Sequence, residues 1–123
     1  CSIVPGVKKL SDNIEAISIV DRLLEHARVF VLCNNGDEKI YISSADWMFR
    51  NFDQRSETAV PIYDVKIKKE LRTLLDLQLS DNTKARIIDK NQSNSYKFAK
   101  EGEKKVRAQD EIYNYFKNQL ASR

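Results

Sequence analysis

The sequence holds one histidine, two cysteines, three glycines and two prolines in 123 residues, and each scarcity closes a class of reading. Three scattered glycines make no Gly-rich loop that could cradle phosphates with its backbone. Cys1 and Cys33 stand at no metal-ligand spacing, and His26, the sole histidine, completes no common zinc pattern with them. A disulfide between the two cysteines is set against two reduced thiols. The absence of secretion signals favours thiols, with Cys33 expected in an apolar strand. No run approaches the roughly 18 apolar residues that a membrane-spanning helix needs. The N-terminus lacks the basic, apolar, small-residue order of a signal peptide, so a soluble, intracellular chain is expected. Aspartates and glutamates form no cluster suited to a divalent metal, and no serine, histidine and acid stand at a spacing that suggests a triad.

What is there fits one domain spanning residues 1–123, of mixed α and β character with an ordinary apolar fraction. The chain opens on Cys-Ser-Ile-Val-Pro-Gly without an initiator methionine, in what reads as a strand end running into a turn. It is expected to be part of something longer. The formal charge of +3 is unevenly spread: the part before Asp64 leans acidic and the part from Asp64 onward is basic. That split suits either an anionic partner for the second half or a solvated basic face.

Along the chain, residues 10–13 read as a loop in which Ser11 and Asp12 are available as caps. Val20, Leu23, Leu24 and Ala27 then suggest a helix ending near His26. Residues 28–33 (Arg-Val-Phe-Val-Leu-Cys) and 40–44 (Ile-Tyr-Ile-Ser-Ser) flank Asn34-Asn35-Gly36-Asp37, which predicts a β-hairpin. Such a hairpin brings His26 and Arg28, at the entrance of one strand, beside Ser43, Ser44 and Asp46 at the exit of the other. Further elements are expected at 59–63 (strand), 65–79 (helix with Ile67, Leu71, Leu74 and Leu75 on one face), 85–88 (strand) and 106–120 (helix with Ile112, Phe116 and Leu120). The polar loop 91–94 and the charged stretch 97–105 read as surface.

Chemistry in this chain near neutral pH that needs an imidazole must use His26. In extended backbone, His26 and Arg28 would face one side and could hold a phosphoryl group. The alternative is a histidine at a helix end whose ring bonds a carbonyl. The string Ser43-Ser44-Ala45-Asp46-Trp47-Met48-Phe49-Arg50-Asn51 gathers hydroxyls, a carboxylate, an indole, a guanidinium and a carboxamide. Arg50 and Asn51 would donate to non-bridging phosphate oxygens, and Ser43 or Ser44 would add short hydrogen bonds. A strand end and helix cap around a buried tryptophan would use the same residues. Arg55 and Glu57 are expected to form a structural ion pair. Lys84 and Arg86 would alternate onto one side of a strand, as a two-charge stripe for a polyanion or as a lysine-protected edge. Lys104, Lys105 and Arg107 read as a solvated face.

Together these residues resemble the polyphosphate kinases, whose catalytic half is built from two domains similar to the phospholipase D superfamily. The resemblance covers nearly the whole chain. It rests on Leu10-Ser11-Asp12-Asn13-Ile14, on Ser18-Ile19-Val20-Asp21-Arg22 with Leu24-Glu25-His26 and Arg28, and on Ser43-Ser44-Ala45-Asp46-Trp47-Met48 with Arg50-Asn51. It continues through Asp81-Asn82, Lys84-Ala85-Arg86 and Lys105-Val106-Arg107-Ala108-Gln109. His26-Ala27-Arg28 and Ser43-Ser44-Ala45-Asp46 look like counterparts of the superfamily's His-x-Lys and Gly/Ser-Ser-x-Asn strings. Arginine stands for lysine, aspartate stands for asparagine, and no aspartate occupies the third motif position near Cys33.

The resemblance implies a phospholipase D-like C-terminal domain with a mixed sheet and flanking helices. It also implies an enzyme that reversibly moves the terminal phosphate of ATP onto inorganic polyphosphate through a phosphohistidine. By the local match His26 is the second, assisting histidine, with Arg28, Ser43, Ser44, Arg50 and Asn51 around the nucleotide phosphates and Arg55, Lys84 and Arg86 toward polyphosphate. The phosphorylated histidine, the Mg2+ ligands and a further arginine are expected outside this sequence, so the chain by itself is expected to be inactive. ATP or ADP, polyphosphate and the other domains of a homo-oligomeric enzyme are the implied partners, without nucleic acid. The implied location is the cytoplasm, peripheral to the inner membrane. Two other readings stand beside it: a polyanion-binding module using Lys84 and Arg86, and a phospholipase D-like phosphodiesterase, which the motif departures disfavour.

Overall fold

The computed structural model describes residues 3–121. The order of elements is β1 (Ala16–Ile19), β2 (Val29–Leu32), β3 (Lys39–Ser43), α1 (Phe49–Asp53), β4 (Ala59–Ile62), α2 (Val65–Leu79), β5 (Ala85–Ile88) and α3 (Ala108–Ala121). The strands form two small antiparallel sheets, β1-β5 and β2-β3-β4, and the fold is mixed α/β. The chain divides into two compact units. One spans residues 25–73, and the other spans residues 3–24 with 74–121.

In the first unit, β2 pairs with β3 so that Val29 faces Ile42 and Leu32 faces Lys39. The connecting turn runs through Asn34, Asn35 and Gly36, all at positive φ. Asparagine and glycine are the residues that enter this left-handed region at least cost. Cys33 falls in that turn and is exposed, one residue past the apolar strand in which it was expected. The disulfide alternative involves Cys1, which lies outside the described residues. On the other side of β3, Ser43 pairs with Ala59 and Tyr41 with Pro61. Because β4 is an edge strand, the missing N–H of Pro61 can face away from the ladder. Ile40 is 2% exposed at the middle of the sheet, and Ala45 is also buried. Asp64 starts α2 by accepting the N–H groups of Lys66 (2.8 Å) and Ile67 (3.0 Å). The helix keeps the bounds its apolar period predicts, although it has no fully buried residue.

In the second unit, Ala16, Ile17, Ser18 and Ile19 pair with Ile88, Ile87, Arg86 and Ala85. The helix expected to end near His26 does not form: β1 ends just before its first apolar position, and residues 20–28 are irregular. Long-range bonds outbid the local period. Asp21 is taken by Arg107 and Leu23 by Gln109, leaving Leu23 and Leu24 exposed. Nor do Ser11 and Asp12 cap a helix. Ser11 Oγ closes a turn by accepting Val7 N–H and donating to Val4 O, and Asp12 accepts Lys9 N–H. The last helix starts at Ala108 rather than at Val106, whose N–H and carbonyl are bound by Asn82 and Thr83.

The first residue of α3 is held by Asp81, which is fully buried. One carboxylate oxygen accepts the N–H groups of Thr83, Lys84 and Ala85, and the other accepts that of Ala108 at 2.7 Å. Burial pushes the Asp81 carboxyl upward, but these four backbone donors outweigh it and hold the group below the usual carboxylate range.

Candidate functional site

Residues 25–57 of the first unit carry most of the chemistry-bearing side chains. The mouth of the β2-β3 hairpin is closed by Ser43 N–H donating to Arg28 O at 2.9 Å, so the segments before β2 and after β3 leave the sheet side by side. The chain after β3 is fixed locally: Ala45 N–H donates to Ser43 Oγ at 3.0 Å, and Met48 N–H donates to Asp46 O at 2.8 Å. These bonds present Asp46 to Arg28.

Three groups meet there. Arg28 Nε donates to Asp46 Oδ1 at 2.7 Å, Arg28 Nη2 lies 3.2 Å from His26 Nε2, and that nitrogen lies 3.6 Å from Asp46 Oδ1. The His26 ring is 70% exposed, whereas the Arg28 and Asp46 side chains are each 25% exposed. His26 is therefore not at a helix end, and among the described residues its ring meets a guanidinium and a carboxylate rather than a carbonyl. The hydrogen bond from Arg28 holds the Asp46 carboxyl below its ordinary range, helped by the charges of Arg28, His26 and Arg50. Asp46 in turn raises Arg28 above the ordinary arginine value. A depression of about 260 Å³ opens over this spot, lined by Arg28, Phe30, Asp46 and Trp47 among others. Trp47 stacks on Phe30 with ring centroids 5.7 Å apart, yet it is 57% exposed, so the buried tryptophan of the structural alternative is not found.

A second set of bonds lies beside the first. Glu57 accepts the Ser44 hydroxyl and, at 2.6 Å, the Asn51 amide, and Ser44 Oγ also accepts Thr58 N–H at 3.0 Å. The bond from Ser44, then that from Asn51, holds the Glu57 carboxyl below its usual range. The expected pairing of Glu57 with Arg55 is thus replaced by neutral donors, and Arg55 acts on Glu57 only through its charge. Asn51 is 4% exposed and its Oδ1 has no hydrogen-bond partner. Its carboxamide serves inside the protein as a donor to Glu57, a role that residue type alone did not reveal. Arg50 and Arg55 are exposed.

Lys84 and Arg86 belong to the second unit. Lys84 stands in the bend ahead of β5, so strand alternation does not make a stripe of the two. Arg86 lies over the Tyr96 ring at 4.2 Å, donates to Tyr96 Oη at 2.9 Å and donates to Asn94 O at 3.3 Å. Arg107, read from sequence as part of a solvated basic face, instead grips Asp21 through Nε (2.8 Å) and Nη2 (2.5 Å). The Asp21 side chain is 2% exposed. Its bonds from Arg107 hold it at about 2 against the upward push of burial. The signal that could have found this pair was its presence in two of the matched strings, Asp21-Arg22 and Arg107-Ala108-Gln109.

Among the described residues, no three histidine, cysteine, aspartate or glutamate side chains gather as a metal site. Among the described residues no helix is long and apolar enough to cross a membrane.

The family model described as "Polyphosphate kinase C-terminal domain 2" matches residues 1–109. Proteins named polyphosphate kinase from Vibrio vulnificus (strain YJ016) and Escherichia coli (strain K12) are each 51% identical over 118 residues, which are 96% of this chain and 17% of theirs. The crystal structure of polyphosphate kinase from Porphyromonas gingivalis superposes with a TM-score of 0.92 at 43% identity, covering 98% of this chain and 18% of that one. The chain therefore spans about a sixth of the length of these relatives.

Proposed function

Because this chain belongs to the polyphosphate kinase C-terminal domain 2 family, we propose that it supplies one wall of an active site that reversibly transfers the terminal phosphate of ATP to inorganic polyphosphate. The observation that carries this reading is the exposed His26 ring, with Nε2 at 3.2 Å from Arg28 and 3.6 Å from Asp46. Phosphoryl transfer depends mainly on positioning and on neutralising charge over the moving oxygens. A guanidinium oriented by a carboxylate and an accessible imidazole are suited to both tasks.

In this scheme the bond between the terminal phosphorus and its bridging oxygen breaks, ADP departs, and the phosphoryl group passes to a histidine elsewhere in the full-length enzyme. From there it passes to the end of the polyphosphate chain. His26 assists as acid or base at the departing or arriving oxygen. Arg28, Arg50 and the Ser43 hydroxyl face the nucleotide phosphates, while Ser44, whose hydroxyl is given to Glu57, supports the same wall. Asn51 supports the wall through Glu57, and Arg55 lies toward the polyphosphate path. Lys84 and Arg86 lie toward polyphosphate as well, with the Arg86 guanidinium oriented by its bonds to Tyr96 and Asn94. Mg2+ would neutralise charge on the phosphates when bound, held by residues outside this chain. We place the full-length enzyme in the cytoplasm, peripheral to the inner membrane, as a homo-oligomer in which this wall meets the other domains.

The test is a full-length polyphosphate kinase carrying this sequence with His26→Gln. Its rate of ATP-dependent polyphosphate synthesis is expected to fall by roughly 10²–10⁴-fold with folding intact. Turnover close to that of the parent would remove His26 from the reaction. The purified chain alone is expected to give no chain growth from ATP.

A further inference from the structure

We infer that Asp46 is a positioning residue for His26 and Arg28: it fixes the guanidinium through Nε and supplies the negative charge that lets His26 carry a proton on Nε2. The inference rests on the reading of His26 just proposed and assigns Asp46 its part in it.

The argument begins with a conflict at one nitrogen. Arginine only donates, so Arg28 Nη2 at 3.2 Å can bond His26 Nε2 only while that nitrogen offers a lone pair. An imidazole that takes up a proton at Nε2 would set N–H against N–H and cation against cation. Asp46 Oδ1, 3.6 Å from the same nitrogen, resolves this. A small rotation of the ring turns the new N–H to the carboxylate, while Arg28 stays anchored by its Nε bond at 2.7 Å. The guanidinium is then free to direct its Nη groups to a phosphate oxygen. The only bond that changes in this step is N–H; the proton comes from water or a phosphate hydroxyl and returns there.

Other charges near the pair do not do this. Glu57 is engaged by Ser44 and Asn51 and acts on Arg28 at a distance, and Arg50 acts on Asp46 rather than replacing it. The Asp46 backbone is also held in place within its own segment, by the Met48 N–H on its carbonyl and by the bond from the buried Ala45 N–H to Ser43 Oγ. Asparagine at this position, as in the resembled Ser-Ser-x-Asn string, would still accept from Arg28 Nε but would bring no charge for the imidazolium.

That difference defines the experiment. In the full-length kinase, Asp46→Asn is expected to lower kcat by about 10- to 100-fold with KM for ATP changed less than about 3-fold. Because activity that needs a protonated His26 falls as pH rises, removing the carboxylate should move the alkaline limb of the kcat profile to lower pH. Asp46→Glu, which keeps the charge, is expected to return the limb to the parental position even if kcat stays reduced. An unchanged kcat and limb in Asp46→Asn would overturn the inference, and so would a lowered kcat with an unmoved limb, since that is what a purely structural role gives. Should Asp46→Asn not fold, a limb displaced in Asp46→Glu would overturn it equally. If His26→Gln is inactive while Asp46→Asn matches the parent, the inference alone fails. If His26→Gln turns over normally, the reading of the site fails first.

Discussion

Gln109 holds Leu23 by both halves of its backbone amide, accepting Leu23 N–H at 3.1 Å and donating to Leu23 O at 2.7 Å. A side-chain carboxamide thus does what a neighbouring strand would do for residues that follow β1. Arg107 and Asp110 act on either side of it, binding Asp21 and Arg22. The segment that leads toward His26 therefore starts from a clamped position inside its own unit.

Removing the clamp should be felt there first. Gln109 is 8% exposed, and Gln109→Ala forfeits two hydrogen bonds at roughly 0.5–1.5 kcal/mol each. We expect faster hydrogen exchange at the Leu23 amide in the full-length kinase. Exchange as slow as in the parent would show that Leu23 is protected by something else.

Asp81→Ala is expected to be more damaging, because it strands four buried or part-buried N–H groups at once. At roughly 1–3 kcal/mol for each unsatisfied donor, the start of α3 should lose its protection altogether. Asp81→Asn keeps one acceptor oxygen and should cost less. Equal exchange at Ala108 in the two variants would contradict this ordering.

The acid limit of stability follows from Asp21. Its folded pKa is depressed to about 2 from an ordinary 3.8, so the folded state binds this proton less readily than the unfolded state. The stabilisation is complete above the ordinary value and is lost as pH falls toward about 2. Asp21→Asn should flatten that part of the stability-versus-pH curve. A midpoint whose fall between pH 4 and 2 is unchanged by the substitution would assign the acid lability to other carboxylates, such as Asp46 and Glu57, which are also depressed.

Asn51→Asp would place a second carboxyl where the Asn51 amide stands 2.6 Å from Glu57. Two carboxyls at that distance share a proton, so the variant's folded pair has one raised pKa. A raised folded value means stability gained as pH falls, the reverse of Asp21. Thermal midpoints of the variant should therefore approach the parent's as pH is lowered from 7 to 5. A gap that stays constant over that range would mean the pair relaxes apart.

Much of the architecture was legible in the residues. The hairpin followed from β-branched and aromatic runs around Asn-Asn-Gly, α2 from a clean apolar period, and β5 from its short apolar run. The helix expected before His26 was a local pattern overruled by distant partners: nothing in Val20, Leu23, Leu24 and Ala27 reveals that Arg107 and Gln109 claim Asp21 and Leu23. The same cause shortened α3, whose expected start at Val106 is used instead to pair with Asn82 and Thr83.

For the candidate site, the hairpin argument placed His26, Arg28, Ser43, Ser44 and Asp46 together, because strand pairing is a local consequence of sequence. Partner choice was not legible. Whether Glu57 takes Arg55 or Ser44 and Asn51, and whether Arg107 is solvated or locked to Asp21, depends on which groups folding brings within about 3 Å, where hydrogen-bond direction and burial decide. By itself the sequence determined the family, the hairpin and the one imidazole available to the chemistry. Only the tertiary structure decided that this imidazole faces a guanidinium and a carboxylate at the same nitrogen, since contacts across 18 and more residues are set by chain topology rather than by local propensity.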